Sequence, residues 1–143
     1  MPDSFFLKPG DFVEQEHAVT EAAVESFAEL SGDFSPNHMD EADMSGSVYG
    51  KRIAHGALLI AYMSACSTEI VERVPGVRQG ATPVSLGYDR IRFVKPVYIG
   101  DDVHLRYEVR HVMEEERRTV SDITITNQND EIVCVGQHIL KWV

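Results

Sequence analysis

Ile53-Ala54-His55-Gly56-Ala57-Leu58-Leu59-Ile60-Ala61-Tyr62-Met63-Ser64-Ala65-Cys66 is the stretch on which the architecture turns. No charge falls between residues 57 and 66, and the helix runs on to about Val74, where Pro75-Gly76 stops it. A helix apolar all round must be covered on nearly every side. It is too short, and too polar at its far end, to cross a bilayer.

Downstream, residues 83–94, 102–113, 117–127 and 131–143 are rich in Val, Ile, Tyr, Phe and Thr and read as strands. Alternation is clear in Val120-Ser121-Asp122-Ile123-Thr124-Ile125-Thr126. Turn chemistry separates the segments at Gly100-Asp101-Asp102 and Asn127-Gln128-Asn129-Asp130, and the mixed-sign run Glu114-Glu115-Glu116-Arg117-Arg118 suits a hairpin turn. Consecutive strands with short turns predict an antiparallel sheet.

Upstream, residues 10–19 read as extended. Thr20 is placed to N-cap a helix with Ala23, Phe27 and Leu30 on one face, and Gly32 to end it. Residues 33–52, with Pro36, Gly46 and Gly50, read as a long irregular stretch, which inside a compact domain is usually functional. The pattern is α+β: one domain over residues 1–143, with a curved antiparallel sheet wrapped around the central apolar helix.

The chain has 143 residues and a net charge of −10. That charge makes it a poor partner for nucleic acid or an anionic membrane. Residues 1–5 carry no secretory pattern. Cys66 and Cys134 are far apart in apolar contexts and read as buried reduced thiols of a cytoplasmic protein.

Two features carry chemistry. In Leu30-Ser31-Gly32-Asp33-Phe34-Ser35-Pro36-Asn37-His38-Met39-Asp40, Pro36 forces Ser35 out of the helical region, and Gly32 lets the backbone turn. Asp33 and His38 can then point into one cleft, hold a water and exchange protons with it. The Asp-x-x-x-x-His pattern is weak by itself, and alone it reads more readily as Asp33 in a turn or cap and His38 as an exposed loop histidine. The second feature is Ala54-His55-Gly56, which opens the apolar helix. Free amides at a helix start polarise a carbonyl, and Gly56 admits close approach, either of a ligand or of the sheet.

The run from Phe27 to Leu59 resembles the MaoC-like, (R)-specific enoyl-CoA hydratase family. The matching residues are Phe27-Ala28-x-Leu30-Ser31-Gly32-Asp33, then Pro36-x-His38-x-Asp40, then Ile53-Ala54-His55-Gly56-x-Leu58. Arg92-Phe93-Val94-Lys95-Pro96-Val97-Tyr98-Ile99-Gly100-Asp101 matches the family's strand–Pro–strand segment, and the likeness spans roughly residues 8–140. It implies a hot-dog fold, a homodimer, and Asp33 and His38 as the catalytic pair. It also implies an oxyanion donor at the Gly56 amide and a supporting role for Ser64. One departure is Ser35, where the family commonly has Asn, an amide that can brace the loop.

The implied activity is a hydro-lyase adding water reversibly to a trans-2-enoyl-CoA to give an (R)-3-hydroxyacyl-CoA, with CoA present only as part of the substrate and no metal or redox cofactor. The alternatives are a hot-dog acyl-CoA thioesterase or a non-catalytic acyl-thioester-binding subunit. Against so acidic a chain, the CoA phosphates need local cations. Lys51, Arg52, Arg90, Arg92 and Lys95 are candidates, with Arg90 and Arg92 expected on one strand face. Tyr62 is the candidate for lining an acyl tunnel, while Met44, Tyr49, Met63 and Trp142 read as packing. His17, His104, His111 and His138 read as structural strand residues, and His38 with Asp40 lacks a third metal ligand.

Overall fold

Alternation in the strands and caps on the helices set the elements. The computed structural model describes residues 6–73 and 81–143. The residues read for a secretory pattern and the helix stop at Pro75-Gly76 lie outside them. In chain order the described elements are β1 (Phe12–Ala18), α1 (Glu21–Ser31), α2 (Pro36–Met39), α3 (Glu41–Ser45), α4 (Gly56–Arg73), β2 (Pro83–Phe93), β3 (Asp102–Met113), β4 (Arg118–Thr126) and β5 (Ile132–Trp142).

Period-two burial fixes the inner face of the sheet. Val103, Leu105, Tyr107 and Val109 of β3 are buried, as are Thr119, Ser121, Ile123 and Ile125 of β4. The register sets Tyr107 opposite Ile123 and Ile123 opposite Gly136. All pairings are antiparallel and the order is β1-β3-β4-β5-β2. β2 therefore zips onto β5 at one edge, not onto its sequence neighbour β3. The turn at Gly100 (φ 101°) is real, but it leads from one edge of the sheet back into its middle and closes no hairpin.

The sheet curves around α4, whose side chains Leu58, Leu59, Met63, Cys66, Ile70 and Val71 join the core with Val13, Leu105, Ile125 and Trp142. Coverage is one-sided, contrary to expectation. Ala57, Ala61, Ser64, Ala65 and Thr68, at helical spacing, remain exposed, because the sheet reaches only the opposite face. No helix among the described residues is long and apolar enough to cross a membrane. Cys66 and Cys134 are buried and free.

α1 begins as its cap predicts, with Thr20 Oγ1 accepting from Ala23 N, and ends at Gly32 in the left-handed region (φ 81°). Its fully buried residues are Val24 and Ala28, with Phe27 half-buried, so the inward stripe lies off the expected face and Leu30 is 86% exposed. The stretch read as irregular holds two short helices. Ser35 N-caps α2, with Pro36 at its first position, and Asp40 Oδ1 caps α3 by accepting from Asp43 N at 3.0 Å.

Candidate active site

The arm between α1 and α4 brings Asp33 and His38 together as their chemistry requires. Ser35 is extended (φ −52°, ψ 139°), so the chain turns after Asp33 and restarts as a helix that carries His38. His38 Nδ1–H donates to the Ile53 carbonyl at 2.7 Å, since a carbonyl can only accept. That hydrogen bond leaves the Nε2 lone pair facing Asp33 Oδ2 at 3.9 Å. The gap is too long for a direct hydrogen bond and suits two acceptors sharing one water. The His38 side chain is 12% exposed and that of Asp33 51%.

Local bonds set the carboxylate. Asp33 Oδ1 accepts from Ser35 N at 3.2 Å, and Ser31 Oγ accepts from Asp33 N at 3.1 Å. Arg52 clamps the arm, donating to Glu21 of α1 at 2.7 Å and to Glu41 of α3 at 3.0 Å. Arg52 is therefore committed as a brace and corrects the expectation of a phosphate contact. Its position between two carboxylates raises its own pKa further.

A cleft of about 250 Å³ opens beside His38, lined by Tyr49, Ile53, Gly56, Leu59, Phe93 and Pro96 among others. Gly56 opens α4, so its amide has no acceptor within the helix, whereas Leu58 N–H donates to the His55 carbonyl at 3.1 Å. A Cβ at position 56 would meet the Phe93 ring at 2.6 Å, so the absent side chain also permits close packing. Tyr49, expected in the core, lines the cleft, and its carbonyl accepts from the Tyr98 hydroxyl at 3.1 Å.

One residue of the site was missed. His55 is 1% exposed, donates Nε2–H to the Asp33 carbonyl at 2.9 Å, and stacks on His38 with ring centroids 3.8 Å apart. The signal lay in Ala54-His55-Gly56, where only the glycine was weighed. Asp33, His38 and His55 place donor atoms within 4.8 Å of one another, a set that does not include Asp40, the partner the sequence suggested for His38. The set nevertheless fits a metal poorly. Stacked rings hold their in-plane lone pairs side by side rather than converging, and one nitrogen of each ring already donates to a carbonyl.

The remaining candidates fall elsewhere. Ser64 lies on the exposed face of α4, about 12 Å along the helix from Gly56, with its hydroxyl against the Tyr88 phenol. Within this chain it does not reach the pair. Tyr62 stacks on His17 at 4.0 Å and does not line the cleft, which corrects its tunnel assignment. A register shift between Asp89 and Arg92, with Arg90 at φ 55°, bends β2 here, and Arg90 and Arg92 both face solvent while Ile91 packs against the core. Arg90 borders a separate hollow with Asp122 and Gln137. Lys51 sits 4.5 Å from the Tyr98 ring and, with Lys95, lines a second cleft of about 350 Å³ that shares Lys95 and Pro96 with the first. Lys95 is paired with Glu131.

His17, His104, His111 and His138 all lie on strands. His138 is fully buried between the Tyr107 hydroxyl, 2.8 Å from Nδ1, and Ser85 Oγ, 2.7 Å from Nε2. Burial pushes its pKa down to about 4. The thiols of Cys66 and Cys134 are pushed up to about 12 and about 11 by burial, so neither is a ready nucleophile. Trp142 packs in the core, stacked with Phe6 at 5.8 Å.

Known proteins resemble this chain in sequence and fold. The family profile of the MaoC like domain matches residues 8–132. A 3-hydroxybutyryl-CoA dehydratase of Methylorubrum extorquens is 33% identical over 86% of this chain and 73% of its own length. An (R)-specific enoyl-CoA hydratase of Aeromonas caviae is 30% identical over 84% of each chain. The solved (R)-hydratase from A. caviae involved in PHA biosynthesis superposes with a TM-score of 0.81 at 28% identity, covering 94% of this chain and 96% of that one. On the matched sequence and the sheet curved around α4, this chain belongs to the MaoC-like domain family and has its hot-dog fold.

Proposed function

We propose that the protein is a hydro-lyase that adds water reversibly across a trans-2-enoyl-CoA to give an (R)-3-hydroxyacyl-CoA. The observation that carries this reading is the 3.9 Å gap between Asp33 Oδ2 and His38 Nε2 beside the cleft that begins at Gly56. The named activities of the relatives support it.

The thioester oxygen accepts from the Gly56 amide, which draws electron density from Cβ and stabilises the developing enolate. Asp33, as general base, takes a proton from the water that His38 also holds. The resulting hydroxide equivalent bonds to Cβ, and a proton is delivered to Cα on the same face. One water supplies both fragments, so the reaction calls for neither a redox cofactor nor a metal. Lys51 lines the cleft that adjoins the acyl site and is the best-placed cation for the CoA phosphates, since Lys95 beside it is paired with Glu131. Arg90 and Arg92 stand away from that cleft.

Two exposed features support a homodimer: the small-residue face of α4 and the outer edge of β2, where Leu86 is exposed. The two buried thiols favour a reducing, cytoplasmic compartment. The test is incubation with crotonyl-CoA and longer or branched trans-2-enoyl-CoAs, followed by ultraviolet absorbance of the conjugated thioester and chiral analysis of the product. Loss of absorbance with an (R)-3-hydroxyacyl product is expected. Release of free thiol without hydration, or tight binding without turnover, would contradict the reading.

A further inference from the structure

We infer that His55 is a positioning residue that ties the base Asp33 to the start of α4, an inference that rests on the hydration reading above. Asp33 is half-exposed, so burial does not hold it in place. Among the described residues, its amide and carboxylate are hydrogen-bonded only to near neighbours in sequence, Ser31 at the end of α1 and Ser35. The hydrogen bond from His55 Nε2–H to the Asp33 carbonyl joins that residue to a different element. His55 immediately precedes Gly56, so one rigid ring sets how far the carboxylate stands from the amide that receives the thioester oxygen. The same ring stacks on His38 at 3.8 Å and leans on Phe27 at 4.8 Å, so it also limits where Nε2 of His38 points.

The choice of residue is itself informative. With Nε2 donating, His55 Nδ1 is buried and has no hydrogen-bond partner among the described residues. An orphaned buried nitrogen costs stability, and a phenylalanine would fill the same space without one. A histidine here is accounted for by its Nε2–H. The effect is positional, because His55 donates to Asp33 and stacks on His38 without lying between them and the cleft.

The experiment compares His55→Phe with His55→Gln, on the full chain, with crotonyl-CoA. Phenylalanine keeps the ring and removes the donor, whereas glutamine restores an N–H near the position of Nε2. His55→Phe should lower kcat on the order of 10²-fold with KM and melting temperature little changed, and His55→Gln should recover most of the loss. Unchanged kcat in His55→Phe overturns the inference, as does a His55→Gln variant that melts like the parent yet turns over no faster than His55→Phe.

Should His55→Phe fail to fold, imidazole ¹⁵N resonances of the parent protein decide the matter. A proton on Nε2 of His55 and on Nδ1 of His38 is expected, and a proton on Nδ1 of His55 overturns the tether. That measurement needs no substrate. Failure of the parent to hydrate any enoyl-CoA would therefore refute the functional reading while leaving the tether to be judged separately.

Discussion

His38 and His138 offer a comparison within one molecule. Each ring has polar neighbours at both nitrogens. At His138 both neighbours are hydroxyls, Tyr107 and Ser85, and the ring is sealed in the sheet with its pKa pushed down to about 4 by burial. At His38 one nitrogen is fixed by the Ile53 carbonyl, while the other faces a carboxylate across a gap beside an open cleft. A ring whose hydrogen bonds are complete within the protein holds the fold. A ring with one nitrogen committed and one left toward solvent can exchange a proton.

The largest contrast is expected in turnover. His38→Ala should reduce kcat by roughly 10²–10⁴-fold while melting close to the parent, because its side chain borders the cleft. Equal turnover on crotonyl-CoA would erase the distinction.

Next comes the pH dependence of stability, which should belong to His138. Its folded pKa of about 4 lies below the unfolded value of about 6.5. Above that unfolded value the ring is neutral in both states and contributes nothing. As pH falls through this window the unfolded chain binds the proton first, so stability drops, by about 3 kcal/mol at pH 4. Urea melts at a series of pH values should show the drop, and His138→Gln should remove its share.

His138→Leu should cost about 1–3 kcal/mol by leaving the buried Tyr107 hydroxyl unpaired, with turnover per folded molecule preserved. A loss of turnover with stability intact would reverse the roles of the two histidines. The smallest effect is expected at Arg52, whose carboxylate partners are largely exposed. Arg52→Met should lower stability in urea by about 1 kcal/mol or less.

What could be read from the sequence was local. Thr20 and Gly32 bound α1 because a cap acts within one turn, and the strands of the second half declare themselves because β-branched alternation is a nearest-neighbour property. Asp33, His38 and Gly56 stood out because Ser-Pro and Ala-His-Gly mark where the backbone turns and the family likeness singles out those positions. The hot-dog wrapping followed from the charge-free helix together with the family likeness.

The rest depended on contacts distant in sequence. That β2 lies beside β5 and not β3 is decided by pairing between strands far apart in the chain, and the bulge at Arg90 appears only in the register of that pair. Arg52 looked like a free cation because Glu21 and Glu41 are remote in the chain. His55 was overlooked because its partner is the carbonyl of Asp33, a group no side-chain pattern reveals.

The central claim is that Asp33 activates a water shared with His38, and Asp33→Asn tests it most directly, since the substitution keeps size and shape and removes the base. Hydration of crotonyl-CoA by the folded variant should fall by roughly 10²–10⁴-fold. Turnover near that of the parent would contradict the account.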